Sequence, residues 1–456
     1  MARGQLMVSV AGIRGVVADT LTPEVVLSYA QAFAAERAGK TVVVGGDTRL
    51  SRPWIERIVE GALIDAGCRV VQIGICPTPT VGFTVRRLGA AGGIAITASH
   101  NPAEWNALKF FSSKGIFLNP AEFAKLKRRL DARRFVHRPF DKIGAVEHDT
   151  KAIDHHLRAV LKILKKPLIR KRRFRVVVDC VNGAGSVIAR PLLGALDCRV
   201  KWLYDATDRV FPREEAEPLP HNLVELGETV RAWRADVGFA IDPDADRLAV
   251  VDEQGRPLGE DRTLTLAAEA WLPRCKTPIV VNNSTSSAID DIAARFGLPV
   301  HRTKIGEAHV VKKMLEIGSE FGGEGGGGVI VPAVQPGRDA ATAIGLVLEA
   351  MARDRAGRAI SEINADTPLY EIAKDKVVLP PERVDGILEE LERLWPDEGK
   401  RDRLDGLKIH GERSWAHVRA SGTEPIVRIY CEAPTGKQAT KLRNQAKRLL
   451  RQASKG

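Results

Sequence analysis

Cysteine is scarce and scattered, with six residues at 68, 76, 180, 198, 275 and 431 and no C-x-x-C pair. That usage argues against a structural zinc site and fits a reduced, cytoplasmic compartment. Long hydrophobic runs are lacking as well. Charge interrupts every apolar stretch before spanning length, so no transmembrane helix and no membrane partner are expected. The opening "MARGQLMVSVAGIRG" has neither an unbroken apolar core nor a small-residue cleavage site, so no signal peptide is read. Aromatic residues make up 5% of the chain and thin out where positive charge is densest. Around "KLKRRLDARR" and "LKKPLIRKRRFR", between residues 125 and 175, they are Phe135, Phe140 and Phe174. A base-stacking nucleic-acid surface is poorly supported by that interleaving, and a solvated helix face with a basic linker is the better reading. The net charge of +12 then acts as a general positive field that attracts a small anionic substrate. Low complexity is confined to "GGEGGGG" at 322–328.

What is present is a globular composition, 44% hydrophobic and 28% charged, over 456 residues, a length that suggests three or four domains. Strand and helix patterns alternate. "TPEVVLSYAQAFAAERAG" offers Thr22 as N-cap, Pro23 at the first helical position and Gly39 beyond the end. "TVVVGG" (41–46) reads as a strand, "RPWIERIVEGALIDAG" (52–67) as a helix and "RVVQIG" (69–74) as a strand, and the rhythm returns from "RVVVDC" (175–180) and "PIVVNN" (278–283). Such alternation means parallel or mixed sheets flanked by helices. After residue 370 the pattern changes to one helix (382–395), three short strands and a basic closing helix from 436, an α+β module. The expected domains are 1–150, 151–254 and 255–368, all α/β, and 369–456, α+β.

Chemistry concentrates in loops. In "FAIDPDADRLAVVD" an apolar strand ends at Asp242, and carboxylates follow at Asp244 and Asp246, a spacing that can turn three oxygen ligands onto one hard cation such as magnesium. An EF-hand is the nearest rival, but its sixth position needs glycine and here is Arg247, and the following segment reads as a strand. In "GGIAITASHNPAEWNALKFF" a buried strand empties into Ser99 and His100 before Asn101-Pro102, where α/β proteins place chemistry. "RASGTEPIVRIY" frames a Ser-Gly-Thr turn with Arg419 and Arg428, which fits a phosphate seat and a plain hairpin turn equally well. Glu324 among glycines can accept hydrogen bonds from sugar hydroxyls while the backbone approaches closely. "AGIRGVV" around Arg14 is uninformative alone, and "NGAGS" (182–186) reads as a structural strand-to-helix turn.

GIRG (12–15), TASHNP (97–102), DPDADR (242–247), the Glu324 loop and RASGTEPIVR (419–428), in this order, resemble the α-D-phosphohexomutase family across essentially the whole chain. The resemblance implies a four-domain protein with one loop per domain meeting in a central cleft. It implies that Ser99 carries a phosphoryl group, and that Asp242, Asp244 and Asp246 hold Mg2+ together with a phosphoserine oxygen. Glu324 reads the sugar, while Arg419, Ser421, Gly422, Thr423 and Arg428 bind the phosphate that is not reacting. Arg14, His100, Lys109 and Arg247 surround the reacting group, with His100 and Lys109 the candidates for general acid or base. Lys304 and Gly306 match a further substrate loop. The implied reaction interconverts hexose 1- and 6-phosphates through a bound hexose 1,6-bisphosphate, which also serves as activator, in a monomer or homodimer. Residues 325–328 are all glycine where many members carry Ser and His. With the "VSVAGIRG" opening this resembles prokaryotic phosphoglucosamine mutases, followed by phosphomannomutase/phosphoglucomutase. A metal-dependent phosphatase using the same serine and aspartates is the rival activity.

Overall fold

Thr22 takes an extended conformation and accepts a hydrogen bond from the Val25 amide, so helix Pro23–Ala35 starts where its N-cap and its N1 proline dictate. The structure is a computed structural model that describes residues 5–10, 12–379, 383–396, 399–421 and 426–454. The chain packs as two compact units, one of Met1–Trp271 with Gly326–Asn364, the other of Leu272–Gly325 with Ala365–Gly456. The residues expected to form a third domain are thus shared between the two. Among the described residues no helix is long and apolar enough to cross a membrane.

In the first unit, strand Thr41–Gly46 is buried on both faces beyond its first residue, as befits the interior of a sheet covered by helices. It pairs in parallel with Arg69–Ile75 on one side and Gly92–Ile96 on the other. Gly92–Ile96 then pairs antiparallel with Trp105–Ser112, so the Ser99 segment is a short connection between adjacent strands at the carboxyl edge of the parallel core. The full seven-stranded order is Met7–Ser9, Gly12–Val16, Trp105–Ser112, Gly92–Ile96, Thr41–Gly46, Arg69–Ile75 and Ala145–His148. A four-stranded sheet follows in the order Leu248–Val251, Val237–Ile241, Arg175–Asp179, Arg199–Leu203. Val237–Ile241 is parallel to Arg175–Asp179 and antiparallel to Leu248–Val251, which makes the aspartate loop another tight link between adjacent strands. A strand follows Asp246, not a helix, which removes the EF-hand reading. Helix Ala340–Arg353, buried at every residue from Ala340 to Met351, packs on helix Arg262–Trp271 inside this unit.

The second unit holds parallel strands Val300–Thr303, Ile279–Asn282 and Gly322–Glu324, side by side in that order. It also holds a five-stranded antiparallel sheet ordered Glu371–Val378, Ile426–Ala433, Trp415–Ala420, Leu407–His410, Arg401–Asp402, with helices Val384–Leu394 and Gly436–Ala453 sharing its core. Glu371–Val378 corrects the sequence expectation, which began this module with a helix. Its eight residues pair fully with Ile426–Ala433, yet Glu371, Lys374, Asp375 and Lys376 dilute the apolar signal. Charges of this kind protect an edge strand from further pairing and mask it in the sequence.

"NGAGS" is the expected structural turn, and its role is close support of the aspartate loop. The Ala184 amide donates to the Pro243 carbonyl at 2.8 Å. A Cβ on Gly183 would lie 2.6 Å from both the Cα and the carbonyl oxygen of Pro243. Gly183→Ala is expected to lower stability by about 1–3 kcal/mol, read as a shift of the urea midpoint. Gly194→Ala, whose Cβ would enter open space within helix Gly185–Ala195, is the control and should be neutral or stabilising.

Candidate active site

Ser99 stands just past strand Gly92–Ile96 in the left-handed region, φ 53°, which costs an L-residue about 1–2 kcal/mol and marks an imposed geometry. Its amide donates to Thr97 Oγ1 at 3.0 Å. Its hydroxyl, nearly enclosed, lies 3.3 Å from Asp242 Oδ2 and 3.4 Å from His100 Nδ1.

The aspartate loop closes on itself. Asp242 Oδ1 accepts from the amides of Asp246 and Arg247, each at 3.0 Å, and Ala245 turns left-handed at φ 54°. Asp242, Asp244 and Asp246 are buried, and one oxygen of each lies within 4.8 Å of the others. Three cations face them. Lys109 Nζ bonds Asp244 Oδ2 at 2.7 Å, Arg338 Nη2 bonds Asp246 Oδ2 at 2.6 Å, and Arg247 Nε lies 3.4 Å from Asp242 Oδ2. Burial, then the charges of Asp246 and Asp244, push the Asp242 carboxyl well above its ordinary range. Burial acts in the same direction on Asp244, but Lys109 and the hydroxyls of Thr78 and Ser99 outweigh it and hold that group low. Oδ1 of Asp244 and Oδ1 of Asp246 are buried without a hydrogen-bond donor among the described residues. Two orphaned carboxylate oxygens beside a third carboxylate form a hard-oxygen set that fits Mg2+.

Arg247 ties this loop to its surroundings, donating to Glu217 Oε1 at 2.6 Å and to His100 Nδ1 at 2.5 Å. Burial and the Arg247 charge push the His100 pKa down to about 4. The ring is therefore neutral near neutral pH, with its Nδ1 lone pair already engaged by the guanidinium. Arg14, on strand Gly12–Val16, donates to Asn101 Oδ1 at 2.8 Å and so reaches the same loop as Ser99. Arg14, Ser99, His100, Lys109, the three aspartates and Arg247 all converge in the first unit. Thr78, Glu217 and Arg338 join them, and no motif in the sequence singled these three out.

In the second unit Glu324 ends strand Gly322–Glu324, buried, its Oε1 accepting from Asn282 Nδ2 at 3.0 Å and from the Gly306 amide at 2.8 Å. Gly306, at φ 121°, holds a conformation open to glycine alone and precedes helix Glu307–Ile317. Lys304 is exposed just before it. Arg419 and Arg428 are direct cross-strand partners, so two guanidinium groups leave the same face of the sheet. Like charges in that register repel, and an anion between them removes the penalty. Asp405 Oδ2 lies 2.9 Å from Arg419 Nε and also accepts from the Ile305 amide at 2.9 Å, joining the arginine strand to the Lys304–Gly306 loop. The Ser421 amide donates to the Ile426 carbonyl at 2.8 Å, and Gly422 and Thr423 lie outside the described residues.

Matches to four domain families run along the chain. They are phosphoglucomutase/phosphomannomutase alpha/beta/alpha domain I over residues 6–137, domain II over 154–255, domain III over 259–370, and the C-terminal domain over 373–449. The chain is 36% identical over 442 residues to a probable phosphoglucosamine mutase of Methanopyrus kandleri, covering 95% of each. It is 36% identical over 452 residues to a phosphoglucomutase/phosphomannomutase of Thermococcus kodakarensis, covering 98% of each. Among solved structures it is similar to a phosphoglucomutase/phosphomannomutase family protein from Burkholderia thailandensis, with a TM-score of 0.85, 27% identity and 99% of both chains covered. A putative phosphomannomutase from Thermus thermophilus gives a TM-score of 0.84 at 28% identity, over 98% of this chain and 100% of that one. The expected four-domain α/β architecture with mixed sheets is the architecture of the chain.

Because burial and the neighbouring carboxylates raise the Asp242 pKa, protons compete with a cation for this group, and affinity falls as pH falls. Magnesium at about 100 times its dissociation constant should stabilise the protein by roughly 2.7 kcal/mol. The melting temperature is expected to rise with magnesium at about pH 8, to rise less at about pH 5.5, and not to respond in Asp242→Asn. An equal response in the variant would remove the triad as the metal site.

Proposed function

The chain belongs to the phosphoglucomutase/phosphomannomutase family and is a phosphohexomutase, and we propose that it works through a phosphoserine at Ser99 and a bound hexose 1,6-bisphosphate. The observation that carries this reading is the Ser99 hydroxyl held 3.3 Å from Asp242 of a buried, metal-fitting aspartate triad. Bound to Asp242, Asp244, Asp246 and a phosphoserine oxygen, magnesium would supply electrostatic stabilisation for charge spread over a transferring phosphoryl group. Arg14 and Arg247 add fixed positive charge around the reacting group. In the first half-reaction the Oγ–P bond of phosphoserine breaks while a bond forms from phosphorus to a hydroxyl of the hexose monophosphate. The hydroxyl proton passes to a base, for which His100 and Lys109 are the candidates. The bisphosphate then turns end for end, its other phosphate passes to Ser99 Oγ as that sugar O–P bond breaks, and the sugar oxygen takes back the proton held by the base.

That reversal requires a second seat that accepts either phosphate. Arg419, Ser421, Gly422, Thr423 and Arg428 are assigned to it, on the strength of the cross-strand arginine pair. Glu324 is assigned to the sugar hydroxyls, with Lys304 and Gly306 beside it. Glucosamine phosphate is the preferred substrate in this reading. The all-glycine stretch 325–328 supports it, as do the curated relatives called probable phosphoglucosamine mutase. Glucose and mannose phosphates are the alternatives, and a cytoplasmic setting accords with this metabolic role.

A coupled assay comparing the 1-phosphates of glucosamine, glucose and mannose, with magnesium and trace hexose 1,6-bisphosphate, tests the reading. Wild-type protein should form the 6-phosphates, fastest with glucosamine, and Ser99→Ala should lose at least about 10³-fold in turnover. Release of free sugar and phosphate alone would identify a phosphatase, and near-normal turnover of Ser99→Ala would remove the phosphoserine. Arg428→Met should raise KM by about tenfold or more with a smaller change in kcat, because a seat for the non-reacting phosphate contributes mainly binding shared by ground and transition states.

A further inference from the structure

We propose that Arg49 is a positioning residue for phosphoryl transfer, a clamp that holds Ser99 in its left-handed conformation without touching the phosphate. The proposal rests on the reading of Ser99 as the phosphoryl carrier. Strands Thr41–Gly46 and Gly92–Ile96 run in parallel with Gly46 opposite Ile96, so the segment Asp47–Arg49 leaves the sheet at the same edge as Thr97–Ser99. The Arg49 guanidinium is fully buried. Its Nη1 donates to the carbonyls of Pro102 and Trp105 at 2.6 and 2.7 Å, and its Nη2 to those of Ser99 and Asn101, each at 2.6 Å. Nε is taken by Asp47 Oδ2 at 3.2 Å, and the Arg49 amide by Asp47 Oδ1 at 3.0 Å. All five guanidinium protons are thereby spent on four backbone carbonyls and one carboxylate.

The clamp grips Ser99 from both sides. Arg49 holds its carbonyl directly. Asp47 Oδ2 accepts from Thr97 Oγ1 at 2.6 Å, and Thr97 Oγ1 accepts from the Ser99 amide at 3.0 Å, so the other side is held through two relays. With no proton left for a ligand, and its charge matched by buried Asp47, Arg49 acts on geometry, not as a phosphate-binding cation. Lysine carries three donors on one point and cannot span carbonyls from Ser99 to Trp105. Thr97→Val keeps the shape of the relay but deletes the hydroxyl, while Thr97→Ser retains it.

The test measures Arg49→Lys, Thr97→Val, Thr97→Ser and Ser99→Ala for thermal unfolding, kcat, KM, and the rate of Ser99 phosphorylation by glucose 1,6-bisphosphate, read by intact mass. Arg49→Lys and Thr97→Val should unfold cooperatively and keep KM within about twofold, while kcat and the phosphorylation rate fall by on the order of 10²-fold, the penalty for a misplaced reacting atom. Thr97→Ser should recover most of that loss. If Arg49→Lys does not fold, the Thr97 pair decides. Wild-type kcat in Thr97→Val, a Thr97→Ser protein as impaired as Thr97→Val, or losses that merely track the folded fraction would overturn the clamp. If Ser99→Ala stays active, the carrier reading fails. If Ser99→Ala is inactive while Arg49→Lys and Thr97→Val are normal, the clamp alone fails.

Discussion

Three buried carboxylates in one five-residue turn are the constraint on which the first unit depends. Desolvating each charge costs several kcal/mol, and their mutual repulsion adds to it. The loop therefore dictates where cations must stand. Lys109 comes from strand Trp105–Ser112, Arg247 from the loop itself and Arg338 from the end of strand Gln335–Arg338, three segments spread over more than two hundred residues of sequence. Even so, among the described residues two carboxylate oxygens stay without donors, and a divalent cation bound there would complete the balance. The repulsion that makes the metal-free loop unfavourable is also what would favour a bound cation.

The serine is held by a different kind of restraint. Ser99 adopts a backbone conformation that an L-residue does not choose, and the backbone on either side is hydrogen-bonded to side chains rather than to a neighbouring strand. This frees the hydroxyl to point at Asp242 instead of packing into the sheet. Both loops join antiparallel neighbours beside parallel cores, so each is short, and its position is set by two strands at once. Rigid placement of this sort suits a reaction in which the protein contributes chiefly orientation and charge. The second unit poses a milder version of the problem. The Arg419 and Arg428 pair concentrates positive charge on one sheet face, with Asp405 as a partial counterion that also anchors the Ile305 amide.

Much of the fold was legible in local pattern. Thr22 and Pro23 mark the first helix start, and the apolar runs at 41–46, 69–75 and 237–241 are strands because burial on both faces demands continuous hydrophobicity. Strand Glu371–Val378 was not legible, because edge charges erase that signal. Of the site, the aspartates, Ser99 and Glu324 stood out, since each sits in a short loop of unusual composition. Arg49, Arg338, Glu217 and Asp405 did not. A single arginine or carboxylate has no local signature, and what these four do depends on partners far away along the chain.

The sequence by itself determined the alternation of strands and helices, the loops that carry chemistry and the residue types within them. These depend on periodicity, capping and turn preference, which act over a few residues. Tertiary structure alone decided which cation faces which aspartate, that His100 is neutral with its Nδ1 lone pair engaged by Arg247, and that Ser99 is clamped through its own backbone. Those outcomes follow from burial, which removes the screening of water, so that charges and hydrogen-bonding groups brought together by the sheets must satisfy one another.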